Sequence, residues 1–137
     1  MTLAGMQELL FIRLQTSLLC RTVQHEADKT ALIDWLFEID RSIPAPFYIV
    51  HEWCCSLEQP LRCVEEIQIV DPDGDVEAHL RMSPFLVGHR FWDTIRNYWE
   101  ISNFVPGKTG TYEIRTALID ADTENCLFQQ IDPLRVV

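Results

Sequence analysis

The stretch from residue 64 to residue 82 constrains the fold more than any other part of the sequence. Its second half, Val76–Met82, alternates apolar and polar residues, as a β-strand with one buried face does. Its first half, residues 64–70, is rich in the β-branched residues that favour strands. The Asp-Pro-Asp-Gly-Asp sequence between them has a proline that fixes φ and a glycine, Gly74, that permits a positive φ. The stretch therefore predicts a β-hairpin.

Other stretches with the same period of two predict further strands. They are Leu9–Leu19, with Ile12, Leu14, Thr16 and Leu18 on one face, Ala31–Asp40, Phe47–Glu58 and Thr111–Asp120. A helix is the alternative for Leu9–Leu19, because its opposite face also carries Leu9 and Phe11. Two further extended stretches are Ile101–Val105 and Cys126–Val137, the latter bent at Pro133. In Phe47–Glu58 the odd-numbered residues share one face, and in Thr111–Asp120 the even-numbered residues do. The turn signals between strands have the spacing typical of a sandwich. We expect an all-β fold in which residues 1–137 form one antiparallel β-sandwich, Ig-like or C2-like in outline, with about seven or eight strands.

The segment Phe85–Trp99 is rich in aromatic residues and has no single period. Trp92, Ile95 and Trp99 have helical spacing, so a short helix near residues 89–99 is one possibility. An edge strand and a packed crossover are the other two. Aromatic residues mixed with arginine are typical of interface hot spots, whereas the simpler interpretation is that these rings close one end of the core. The predicted partner-binding residues are Phe91, Trp92, Arg96, Tyr98 and Trp99.

The charge and the cysteines narrow the class of partner and the compartment. The net charge is -10, from 21 acidic and 11 basic residues, which disfavours nucleic acid and anionic membrane surfaces as partners. The most apolar segment, Leu9–Cys20, contains Arg13 and is too short to span a bilayer. A secretory signal requires basic residues before its apolar segment, and residues 1–8 contain no lysine or arginine. The five cysteines follow no disulfide framework. We expect reduced thiols and a cytoplasmic location.

The acidic turn is a candidate calcium site. Asp71, Asp73 and Asp75 have the spacing that opens a calcium-binding loop, but the later EF-hand positions hold Val76 and Met82. Calcium would need further oxygen ligands from another loop tip, and the loop with Asp120 and Asp122 could supply them. The alternative is a plain turn in which the aspartates bond their own backbone.

Histidine, cysteine and glutamate residues suggest a zinc site or an enzyme only weakly. On a strand, His51 and Cys54 point to opposite faces, and neither Cys54 nor Cys55 is spaced to chelate zinc with His51. We therefore expect these cysteines, and Cys63, to be packed or partly exposed structural residues. The pair Glu65–Glu66 is expected on a solvent-facing surface, and His79 is expected to be solvated.

Four stretches together resemble a family of small, uncharacterised bacterial β-sandwich proteins, a domain of unknown function. They are residues 32–40 followed by Pro44 and Pro46, the Asp71–Gly74 turn, residues 104–114 and the terminal residues 133–136. The resemblance implies the fold and a bacterial origin, and it carries no catalytic residues.

The function that we expect from the sequence is that of a non-enzymatic binding or assembly module without a cofactor. Its partner would be another protein or a second copy of the chain, bound through the aromatic segment or a sheet edge. The alternatives are a calcium-dependent binding module and an unrecognised thiol or carboxylate enzyme.

Overall fold

The computed structural model describes residues 11–26, 29–35, 38–42, 46–57, 59–88, 93–102 and 104–137. These residues form ten β-strands and no helix. The strands are β1 (Phe11–Glu26), β2 (Lys29–Trp35), β3 (Glu38–Ile39), β4 (Phe47–Ser56), β5 (Leu61–Val70), β6 (Val76–Arg81), β7 (Phe85–Val87), β8 (Asp93–Ile101), β9 (Gly110–Asp120) and β10 (Cys126–Val136). The described part of the chain thus has no helix that could cross a membrane.

The strands form two sheets, and the predicted β-sandwich is confirmed. The four-stranded sheet has the order β2-β1-β4-β8, and its neighbouring strands are antiparallel. The six-stranded sheet has the path β3-β10-β9-β5-β6, and β7 pairs with the start of β5. Its pairs are antiparallel except for β3 and β10, which run parallel over a short contact at Arg135–Val136.

The core lies between the sheets, where the alternating residues of each strand meet. The faces that the sequence predicted for β4 and β9 point into this core, because Phe47, Ile49, Trp53, Tyr112 and Ile114 are all buried. The rest of the core comes mainly from Ile67 and Ile69 on β5, Trp99 and Ile101 on β8, and Leu134 and Val136 on β10. Complete burial of one large apolar side chain contributes about 1.5–3 kcal/mol before entropy is subtracted.

The predicted hairpin joins β5 and β6. Gly74 has a φ of 94°, which confirms the predicted positive φ. The carboxylate of Asp71 accepts hydrogen bonds from the backbone N–H groups of Asp73 and Asp75 at 2.8 and 3.0 Å. The Asp71 side chain therefore organises the turn from inside, as expected for an aspartate at this turn position.

The predicted strand Ala31–Asp40 divides between the two sheets. β2 pairs with β1 in the four-stranded sheet, whereas β3 pairs with β10 in the six-stranded sheet. Residues 36–37, between the two strands, lie outside the described part. Alternation shows which residues share a face but not which strand they pair with, so the change of sheet was not visible in the sequence.

A bulge in β1 reverses the predicted face of its second half. Leu14 pairs with Trp53, then the register shifts, and Leu19 pairs with Ile49. Both Leu14 and Leu19 pack towards the core, although they differ by an odd number of residues. The prediction that Thr16 and Leu18 share the face of Leu14 was therefore wrong, because one inserted residue moves all later side chains to the other face.

The possible helix near residues 89–99 is not formed over its described part. Residues 93–99 belong to β8, which lies at the edge of the four-stranded sheet. Asn97 and Trp99 are buried, whereas Arg96 is exposed and Tyr98 is partly exposed, so the segment alternates as a strand does. Residues 89–92 lie outside the described part. Of the three possibilities that the sequence left open, the edge strand describes residues 93–101.

Two glycines with positive φ allow a matched test of this fold. Alanine at Gly74 would face open space, whereas a Cβ at Gly88 would lie 2.8 Å from Leu57 Cδ1. Gly74→Ala should lower the free energy of unfolding by about 1–2 kcal/mol through backbone strain alone. Gly88→Ala should lower the free energy of unfolding by about 1–3 kcal/mol more than Gly74→Ala does, because Leu57 must also move.

Urea denaturation of the two glycine variants and the wild type measures this difference. Equal losses for the two variants would contradict the packing of Leu57 against Gly88.

Candidate functional site

The most unusual group in the core is the carboxylate of Glu65. Glu65 lies on β5 two residues before Ile67 and points with it into the space between the sheets, where its exposure is 0%. The prediction that Glu65 lies on the surface was therefore wrong. The neighbouring Glu66 points outward, and its side chain remains partly exposed.

Four side chains donate hydrogen bonds to this buried carboxylate. Oε1 accepts from Nδ1 of His51 and from Nε1 of Trp99, the latter at 2.6 Å. Oε2 accepts from Nε1 of Trp53 at 2.7 Å and from Nδ2 of Asn97 at 2.5 Å. Each carboxylate oxygen thus has two donors, and the buried charge is well solvated by the protein itself.

Strand register explains why the donors converge. His51 on β4 is the direct partner of Asn97 on β8, and Trp99 lies two residues further along β8, opposite Ile49. Trp53 lies two residues after His51, on the same face of β4. All four donors come from the four-stranded sheet, while the acceptor comes from the six-stranded sheet. Burial alone would raise the pKa of Glu65, but the hydrogen bond and charge of His51, with the bonds from Asn97 and Trp53, hold that pKa below its ordinary value.

The buried cluster of Glu65, His51, Asn97, Trp53 and Trp99 is not arranged as an active site. A histidine beside a carboxylate can act as a general base only where a substrate can reach it, and both residues are completely buried. Nε2 of His51 has no hydrogen-bond partner among the described residues. The described part also contains no group of three or more histidine, cysteine or acidic residues that could hold a metal ion. The cluster links the two sheets.

Two of the three predicted calcium-site residues, Asp71 and Asp73, bind the side chain of a lysine. Nζ of Lys108 lies 2.9 Å from Asp71 Oδ2 and 2.6 Å from Asp73 Oδ2. The ammonium group of Lys108 thus already neutralises these two carboxylates. A calcium ion could bind them only by displacing this ammonium group.

The second acidic loop does not converge on this turn. Asp122 pairs with Arg62 near the start of β5, whereas Asp71 follows its end. Nine residues of strand separate Arg62 and Asp71 by about 30 Å. Asp120 and Asp122 therefore cannot complete a site with the aspartates of the turn.

The described residues among those predicted to bind a partner do not share one face of β8. Trp99 is only 7% exposed and belongs to the core. Arg96 and Tyr98 lie on the outer face of β8, where Nε of Arg96 donates to Glu52 at 2.5 Å. Phe91 and Trp92 lie outside the described part. The simpler interpretation of the aromatic segment, that its rings belong to the core, thus describes Trp99.

A shallow depression on the other side of the molecule is the better candidate for a binding site. It lies on the outer face of the six-stranded sheet, across β5, β9 and β10, and encloses about 370 Å³. We call it the outer groove. Its lining residues are Glu66, Gln68, Arg115, Thr116, Ala117, Gln129, Gln130 and Ile131.

The strand pairing explains the shape of the outer groove. Ala117 on β9 lies between Glu66 on β5 and Gln129 on β10. The next row along the strands places Arg115 between Gln68 and Ile131. A small residue surrounded by longer side chains leaves a hollow, so Ala117 forms the floor.

The charged residues of the outer groove are already paired, whereas two amides are not. Glu66 binds His79 and Arg81, and Arg115 binds Glu113. The side chains of Gln68 and Gln129 make no hydrogen bond to any residue that the structure describes. Ile131, 58% exposed, adds an apolar wall. The outer groove therefore offers neutral hydrogen-bonding groups beside apolar contact surface.

The comparisons with known proteins support the fold and do not identify a family. The sequence matches no protein-family model and no curated protein. The C-terminal domain of Wzt is structurally similar, with a TM-score of 0.58, 12% identity and coverage of 92% of this chain and 73% of that one. Proteins this dissimilar in sequence share a fold, and the likeness assigns no activity to the chain.

Two β-glucuronidases also contain a similar region. A calcium-binding mutant of Bacteroides uniformis β-glucuronidase 2 gives a TM-score of 0.58 at 14% identity, over 92% of this chain and 13% of that one. A β-glucuronidase from glycoside hydrolase family 2 gives 0.51 at 17% identity, over 66% of this chain and 10% of that one. The chain thus spans about a tenth of the length of each enzyme.

The buried carboxylate should make stability depend on pH. The pKa of Glu65 is lower in the folded chain than its ordinary value of 4.5. The contribution of Glu65 to the free energy of unfolding is therefore complete above pH 4.5 and is lost as the pH falls through the pKa of the folded state. Glu65→Gln should cost about 2–4 kcal/mol at pH 7, since an amide N–H₂ would face donors instead of accepting from them.

Urea denaturation between pH 7 and pH 3 tests the role of Glu65. The difference in free energy of unfolding between wild type and Glu65→Gln should become smaller below about pH 4.5. Glu66→Gln, one residue away on the outer face, is the control and should stay within about 1 kcal/mol of wild type. A difference independent of pH would contradict an ionised Glu65.

The five cysteines should differ strongly in reactivity. All are free thiols, of which Cys126 is exposed, Cys54 is partly exposed, and Cys20, Cys55 and Cys63 are buried. Burial, with the charge of Asp120 and the thiol of Cys55, raises the pKa of Cys63 to about 12, so little reactive thiolate forms.

A thiol-reactive dye in native buffer, followed by mass spectrometry of peptides, measures this order. Cys126 should react first and Cys54 more slowly, while the three buried thiols should react only after urea is added. Early labelling of Cys63 would mean that this end of the core opens.

Proposed function

We propose that this chain is a non-enzymatic binding module and that its ligand occupies the outer groove. The observation that carries the proposal is that the amides of Gln68 and Gln129 bond to no residue in the described part of the chain, whereas their charged neighbours are already paired. A ligand there gains hydrogen bonds without separating an existing ion pair. Such a site suits a polar ligand that carries no charge of its own.

The ligand class that fits this surface best is a neutral carbohydrate. Sugar hydroxyl groups both donate and accept, as amide side chains do, and the C–H face of a sugar ring can pack on Ile131 and Ala117. The net charge of -10 disfavours acidic polymers. That similar domains occur within β-glucuronidases supports the proposal as an analogy of fold.

The other functions expected from the sequence have less support. An enzyme that uses His51 and Glu65 would need access to a fully buried pair, and a calcium-dependent module would need to displace Lys108. We propose the bacterial cytoplasm as the location, which suits five free thiols and agrees with the family resemblance.

Titration with neutral tetrasaccharides, monitored by ¹H–¹⁵N NMR, tests the proposal. Cellotetraose, maltotetraose and chitotetraose are the probes, and at least one should shift the side-chain amide signals of Gln68 and Gln129. Gln68→Ala and Gln129→Ala should each weaken binding by about 3- to 10-fold, the equivalent of one or two hydrogen bonds.

Two controls accompany this titration. Gln59→Ala removes an exposed amide outside the outer groove and should leave binding unchanged. A heparin tetrasaccharide carries strong negative charge and should bind more weakly than the neutral sugars. The carbohydrate proposal is wrong if none of the neutral sugars shifts an outer-groove signal at roughly 10 mM.

A further inference from the structure

The edge strand β8 has the features of a self-pairing surface. One side of β8 is hydrogen-bonded to β4, and no described strand pairs with its other side. An open edge presents a row of unpaired backbone N–H and C=O groups, which are a template for another strand. Proteins usually protect such edges with proline, lysine or a bulge. The nine residues Asp93–Ile101 contain neither proline nor lysine, and their pairing with β4 shows no bulge.

The charges along this edge complement themselves. Arg96 and Glu100 both lie on the outer face of β8, with Tyr98 between them. If two β8 strands run antiparallel about a two-fold axis at Tyr98, each Arg96 faces Glu100 of the other copy. The same register places Ile95 opposite Ile101 on the inner face. The guanidinium has five N–H donors, more than its bonds to Glu52 and Tyr98 use.

An apolar residue that is 66% exposed, Val105, lies in a cleft beside β8. The cleft has a volume of about 420 Å³ and opens between β8 and β6, the edge strands of the two sheets, and its lining also includes Leu80, which is partly buried, and Phe104, which is buried. A second copy beside β8 would cover part of this cleft, and the removal of its apolar surface from water would favour association.

We infer that two copies of the chain associate through β8 and join their four-stranded sheets into one continuous sheet. The two-fold axis passes through Tyr98, and two Arg96–Glu100 pairs set the register. The outer groove lies on the six-stranded sheet, so the dimer has two such grooves. One strand pair buries less surface than a standard interface, and the dimer is therefore expected to dissociate at micromolar or lower concentrations.

A charge exchange tests both the partner and the register. Glu100→Arg places Arg96 opposite an arginine in a homodimer, and Arg96→Glu places Glu100 opposite a glutamate. Each variant alone should self-associate at least about tenfold more weakly than wild type. An equimolar mixture should regain association, because every Arg then faces a Glu. Sedimentation equilibrium up to roughly 1 mM measures the dissociation constants.

A charge reversal on the other sheet is the control. Glu113→Arg changes an exposed glutamate away from β8 and should leave association unchanged. A wild-type chain that stays monomeric at the highest concentration overturns the inference. It is overturned as well if the single variants dimerise as tightly as wild type, or if the mixture fails to associate although circular dichroism shows both variants folded.

Discussion

The rest of this sandwich depends on the hydrogen bonds that the buried carboxylate of Glu65 accepts. An ion buried without partners costs several kcal/mol, and here the cost is offset only because four donors converge on its two oxygens. The donors belong to one sheet and the acceptor to the other. The two sheets must therefore meet in one relative position, since any other would leave the carboxylate without its hydrogen bonds. Apolar packing alone tolerates more than one arrangement, whereas this network does not.

Local patterns predicted the strands well and their partners less well. The hairpin turn and the inward faces of β4 and β9 follow from a period of two that any short window shows. The alternation along β5 also indicated that Glu65 is buried, because Ile67 and Ile69 share its face. The prediction instead followed the residue type, since a glutamate is usually expected on the surface. The divided strand at residues 31–40 and the bulge in β1 depend on pairing with distant residues, so no local pattern contains them.

The outer groove could not be predicted, for the same physical reason. The outer groove exists because β9 lies between β5 and β10, which sets Ala117 beside Glu66 and Gln129. These residues are up to about 60 positions apart, and only the strand order brings them together. The acidic turn is a similar case: its spacing left a plain turn and a calcium site open, and the cation that its carboxylates bind is Lys108, which lies 37 positions after Asp71. Residue spacing indicated the charge that the turn needs and not its source.

The core and the outer groove are joined through two consecutive residues of β5. Glu65 points inward to the four donors, and Glu66 points outward into the outer groove. If β5 slipped by one residue, every side chain on it would change face, and the buried donors would lose their acceptor. The network around Glu65 thus also fixes which β5 side chains line the outer groove. Polar residues inside this sandwich help to define its outer surface, so substitutions in the core can change the shape of the outer groove.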